Sequence, residues 1–89
     1  MIKIVRVEQT EAFRIAVQFS DGSEGEYDLE PLVARDTEMV RPLRDPAFFR
    51  RVFLELGAVC WPNGFELSPS SIQLELRAQG RLRHERVVA

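Results

Sequence analysis

The chain holds one cysteine, one histidine and one tryptophan, and none of its apolar runs approaches the length of a membrane span or a signal-peptide core. Each scarcity excludes something. Cys60 alone cannot form an intrachain disulfide, so the chain is no secreted disulfide scaffold and a reducing cytoplasm is the expected location. Cys60 and His84 together fall short of the four close ligands of a structural zinc site, and a Cys-His catalytic pair lacks an orienting third group. No glycine-rich phosphate loop, nucleophile elbow or nucleotide fingerprint occurs, so no catalytic residue, cofactor or metal ligand is assigned and the chain is read as a non-enzyme. Excess positive charge is missing too: 12 Lys and Arg against 14 Asp and Glu give a net charge of -2, which argues against general binding to phosphate backbones or anionic membranes.

What is present is one small domain's worth of ordinary globular sequence. With 89 residues, 45% of them hydrophobic, the chain supports a single core and is far from disordered composition. A core this small gives modest stability, for which self-association is a common remedy, so a homodimer is one expected arrangement.

The stretch from Ala58 to Phe65 is the organising one. Ala58-Val59-Cys60-Trp61 reads as a strand, Pro62 ends it because proline cannot donate to a ladder, and Asn63-Gly64 supplies a tight reversal. Upstream, residues 2–8 carry apolar groups on both parities and read as a strand covered on both faces. Phe13, Ile15, Val17 and Phe19 alternate with polar residues as a half-buried strand, and Asp21-Gly22 leads into a second, more acidic strand through Leu29. These segments make an antiparallel N-terminal meander. Asp28 is placed to cap a short helix through about Ala34, residues 35–44 read as a loop, and Asp45-Pro46 starts a helix bearing Phe48, Phe49 and Val52.

Phe53 to Leu56 and Ala58 to Trp61 form a second strand pair ending at Trp-Pro-Asn-Gly. Ser68-Pro69 then opens a last helix that packs through Ile72 and Leu76 and stops at Gly80. Residues 72–77 also alternate strictly, so an edge strand competes with this helix. The fold class is α+β, with one domain over residues 1–80 and a charged C-terminal tail over 81–89. The expected core is Ile4, Val7, Phe13, Ile15, Val17, Phe19, Tyr27, Leu29, Leu32, Leu43, Phe48, Phe49, Val52, Val59, Trp61, Leu67, Ile72 and Leu76.

Six residues are candidates for contact with a partner. Arg77, Arg81, Arg83 and Arg86 concentrate four of the 12 cations near the C-terminus, diluted by Glu75 and Glu85. A charged tail with Leu82 as its one apolar residue before Val87 is expected to stay mobile until a partner orders it. Trp61 reads as a core anchor or an interface anchor, and Asn63 stands in the turn beside it. Cys60 reads as a small buried hydrophobe with its thiol pKa raised, and His84 as a solvated member of the tail. The carboxylates Asp21, Glu24, Glu26, Asp28 and Glu30 read as the wet face of a hairpin.

Phe19-Ser20-Asp21-Gly22, the stretch from Pro42 to Phe49, and Trp61-Pro62-Asn63-Gly64 followed by Glu66-Leu67-Ser68-Pro69 together resemble the bacterial domain-of-unknown-function family 2442. The resemblance runs over most of residues 2–77. It implies an α+β domain without known enzymatic activity, found alone or fused to a helix-turn-helix segment, with stand-alone members beside another small protein in an arrangement suggestive of toxin-antitoxin pairing. It offers no catalytic residue to carry over, and with the chain ending at Ala89 no DNA-reading helix pair is expected. The expected partner is thus an unidentified protein, and nucleic acid contacted through the arginine tail remains the alternative.

Overall fold

The computed structural model describes residues 1–84. It is an α+β fold of two antiparallel sheets, three short helices and one 3-10 turn. The first sheet has the order β1-β2-β3-β7, with β1 Ile4–Gln9, β2 Arg14–Phe19, β3 Ser23–Asp28 and β7 Arg83–His84. The second is β4 Phe53–Glu55, β5 Ala58–Cys60 and β6 Glu66–Leu67, a third strand joining the expected pair.

β2 alternates as its sequence dictates, with Ile15, Val17 and Phe19 buried. β1 does not, and it corrects the expectation of a strand covered on both faces. The register runs Ile4 to Phe19 and then Arg6 to Gln18, so Val5 is an extra bulged residue and the parity switches there. Ile4 and Val7 consequently share the inner face despite their odd separation, while Val5 is 56% exposed.

α1 (Glu30–Val33) begins where Asp28 accepts a hydrogen bond from the Glu30 N–H at 2.9 Å, although the helix proper starts after Leu29. The expected loop 35–44 contains a 3-10 turn, Arg41–Arg44, that buries Leu43, and it also buries Val40; Val33 completes the three residues' inward set, and neither valine was in the expected core. α2 (Pro46–Phe49) is capped as its sequence predicts, with Asp45 accepting from the Ala47 N–H at 3.0 Å.

α3 (Pro69–Ala78) settles the competition at 72–77 in favour of a helix. Its Ser68 does not cap through its side chain, which meets the Ser70 hydroxyl at 3.0 Å instead. At the other end Gly80, at φ +69°, lets the Gly80 N–H reach the Arg77 carbonyl and the Arg81 N–H reach the Leu76 carbonyl, at 3.1 and 2.9 Å. This reversal sends the chain back along β3, where Arg83 pairs with Glu24 and His84 with Ser23, and Leu82 packs on the core. The described part of the charged tail, 81–84, thus lies against the first sheet, while 85–89 lie outside the described residues. For 81–84 the reason is that pairing to β3 satisfies the backbone where side-chain burial alone would not.

The core lies between the first sheet's inner face, the second sheet and the helices. Trp61, 1% exposed, is at its centre; its ring centroid is 5.6 Å from Phe49 and 5.8 Å from Phe65, and Phe49 lies edge-on to Phe13 at 5.4 Å. Of the expected core residues, Val7, Phe13, Leu32, Phe48, Val52 and Leu67 are only partly buried against this cluster.

Candidate interaction surface

The sequence candidates fall into three places. Trp61 is inside, its indole N–H donating to the Phe49 carbonyl at 3.0 Å, so its ring offers no interface area and the interface reading is corrected. Asn63 is half-buried and already occupied: its Nδ2 donates to the Met39 carbonyl at 2.9 Å and its Oδ1 accepts from the Phe65 N–H at 3.2 Å. The Asn63 amide pins the 36–40 loop to the Trp-Pro-Asn-Gly turn, with only Gly64 of the two turn residues at positive φ.

Arg77, Arg81 and Arg83 are exposed at the end of α3 and on β7, while Arg86 lies outside the described residues. They do not form a purely basic patch. On the outer face of the first sheet, β-pairing aligns Arg6, Gln18, Glu24 and Arg83 in one row across the strands, and Glu8, Ala16 and Glu26 in the next. The small Ala16 side chain leaves a shallow open concavity of about 210 Å³ there, edged by Arg6, Glu8, Glu24, Glu26 and Arg83. Both signs of charge interleave across this face.

The structure does bring a serine, an aspartate and a histidine together, but in no catalytic geometry. Ser23, fully buried, donates its hydroxyl to Asp21 and accepts from Gln73 Nε2 at 3.0 Å, while Gln73 also reaches Asp21 Oδ2 at 3.0 Å. His84 stands opposite Ser23 through the backbone ladder. A nucleophile must face a base and an open side; here the hydroxyl faces a carboxylate and is sealed beneath α3. The hydrogen bonds from Ser23, side chain and then backbone, together with that from Gln73 and the nearby His84, hold the Asp21 carboxyl below its ordinary range. The cluster is a latch between the β2–β3 turn and α3.

Cys60 belongs to the other sheet and is buried. Burial first, then the Glu66 and Glu55 carboxylates, push its thiol pKa up, the opposite of what a nucleophile or metal ligand needs. Among the described residues no three His, Cys, Asp or Glu side chains are grouped so as to hold a metal ion, and no helix is long and apolar enough to cross a membrane.

One feature of the surface escaped sequence reasoning. The β4–β5 connection is a two-residue turn in which Leu56 and Gly57 both have positive φ, +51° and +83°. Asn, Asp or Gly is the usual first residue of such a turn, and a leucine there is strained. Leu56 is nonetheless 91% exposed. The Ile4 N–H donates to the Gly57 carbonyl at 2.9 Å, which brings the turn beside the start of β1, where Val5 and Met1 are also exposed. The available signal was the Leu-Gly pair where Asn-Gly is expected.

Neither the curated proteins nor the solved structures give a match to this chain. The model of the family described as "Protein of unknown function (DUF2442)" matches residues 4–76, from the first residue of β1 to the Leu76 that closes α3 onto the sheet. The chain belongs to the DUF2442 family.

Proposed function

We propose that this chain is a non-catalytic protein-binding module, the partner or antitoxin-like half of a two-protein cytoplasmic unit, and that it meets its protein partner with the Leu56–Gly57 turn. The observation that carries the reading is Leu56 itself. A leucine held in the left-handed region and almost wholly in solvent adds nothing to the core and costs about 1 kcal/mol of backbone strain relative to glycine. A partner that buries it would recover about 1.5–3 kcal/mol of apolar transfer energy. The buried, alkaline-shifted Cys60 thiol supports the non-catalytic part and suits a reducing compartment.

The test compares capture from the native cell, and co-purification with the product of a neighbouring reading frame, using the natural chain and Leu56→Asn. Asparagine tolerates the turn's backbone, so the fold should hold or gain slightly in stability while the partner is lost. Equal recovery of one partner by both chains would sink the reading. The alternative, contact with nucleic acid through Arg77, Arg81 and Arg83, has less support, because Glu24 stands opposite Arg83 and Glu26 shares its recess.

A further inference from the structure

β1 has an open side. The Thr10 N–H donates to the Arg14 carbonyl at 3.0 Å, and the register places Glu8 opposite Ala16 and Arg6 opposite Gln18. In an antiparallel ladder the hydrogen-bonded pairs alternate, so Arg6 and Glu8 turn their N–H and C=O groups toward β2 while Val7 and Gln9 turn theirs away. Among the described residues no other backbone group bonds those outward N–H groups. At one end the edge is closed by the bond from Ile4 to Gly57, and at the other by the turn into β2. Between them runs an edge with no proline and no charged side chain pointing inward, two of the usual devices against pairing.

We propose that β1 is a homodimer interface, pairing antiparallel with β1 of a second copy about a two-fold axis at Val7 and joining the two four-stranded sheets into one. Charge complementarity selects this occupant and this register. Arg6 and Glu8 lie on the outer face, 72% and 66% exposed, and within one chain they approach only to 3.8 Å. Centred on Val7, Arg6 stands directly across from the partner's Glu8 and Glu8 from the partner's Arg6, so all four charges alternate in sign. Centring the pairing on Arg6 or on Glu8 instead sets like charges face to face, which is unfavourable for directly opposed residues. The Val7 register is also the one in which the outward N–H and C=O groups of the two strands meet. The interface adjoins the Leu56 turn, which meets the same edge at Ile4, and its test is therefore read on Arg6 and Glu8 rather than on that turn.

The experiment is sedimentation of the full chain across micromolar concentrations, with Arg6→Glu, Glu8→Arg, and an equimolar mixture of the two. The natural chain should dimerise. Each single variant sets like charges across the axis and should weaken the dimer by about tenfold or more. The mixture should recover dimer as a heterodimer, because Glu at 6 and 8 of one chain then meets Arg at 8 and 6 of the other. Both positions are exposed, so the variants should fold, and circular dichroism checks this. Hydrogen exchange gives a second readout: the Val7 and Gln9 amides should become protected as concentration rises, whereas those of Arg6 and Glu8 are protected throughout. A natural chain that stays monomeric overturns the proposal, as does a dimer indifferent to both single variants, or β1 protection that appears only on adding a different protein.

Discussion

The indole N–H of Trp61 and the carbonyl of Phe49, 3.0 Å apart, join the end of β5 to the last residue of α2 inside the core. This bond lets a large ring with a polar edge be fully buried without an unmet donor. Trp61→Ala should therefore cost about 3–5 kcal/mol, chiefly from the cavity. Trp61→Phe should cost less, keeping much of the packing but losing the bond. Urea melts would measure both, and equal losses would mean that the packing of the ring contributes nothing beyond the hydrogen bond, which both variants lose.

Gly25 carries no strained backbone, yet it has no room for a side chain. A Cβ there would stand 2.9 Å from the Arg81 carbonyl oxygen and 3.0 Å from Leu76 Cδ1, because α3 and the chain leaving it lie directly on β3. Gly25→Ala should destabilise by roughly 1–3 kcal/mol, as overpacking does. Thermal unfolding checks it, and a neutral outcome would show that the segment after Gly80 can lift away at little cost.

Tyr27 donates its hydroxyl to Glu75 Oε2 at 2.6 Å, tying β3 to α3 across 48 residues of chain. Burial, then that hydrogen bond and the Glu75 charge, raise its pKa well above the ordinary value of 10.0. A raised phenol pKa means the neutral form is favoured in the folded state. The stabilisation is full below the unfolded value and is lost as pH climbs through the folded one. Stability of the natural chain should fall above about pH 10, and Tyr27→Phe should flatten that decline while costing about 1 kcal/mol at neutral pH. Parallel alkaline curves for the two chains would refute the link.

Asp21 titrates in the opposite sense. Its depressed pKa places its contribution above the ordinary value of 3.8, to be lost as pH falls through the folded one. Gln73→Met removes one donor to Asp21 and one to Ser23, and should reduce neutral-pH stability while shrinking the loss between neutral and acid pH. Denaturant midpoints measured across acid pH distinguish this from a plain packing loss, which would shift every point equally.

Cys60 should resist alkylation in the native protein and react only as the fold opens, since burial and two nearby carboxylates both disfavour its thiolate. Thiol-reagent rates that rise with denaturant in step with unfolding would bear this out. A native rate equal to that of a free thiol would contradict it.

Local chemistry was enough to determine much of this fold from sequence. The alternation in β2, the Asp45-Pro46 start of α2, the Gly80 stop of α3 and the glycine of the Trp-Pro-Asn-Gly turn depend on spacing and backbone preference within a few residues, and each lies where those rules place it. So does the family, whose motifs are short but ordered along the chain. Tertiary structure alone decided the rest. Whether residues 72–77 were strand or helix depended on Ile72 and Leu76 reaching the core, Leu76 against Gly25 of β3, because both periods are present in the sequence. The parity switch at Val5 exists only in the pairing of β1 with β2. Residues 81–84 looked too polar to pack, and it is the open edge of β3 that gives Arg83 and His84 their pairing. Long-range pairing supplies or withholds these partners, and no local pattern records it; the same holds for Leu56, whose exposure in a strained turn only the folded chain reveals.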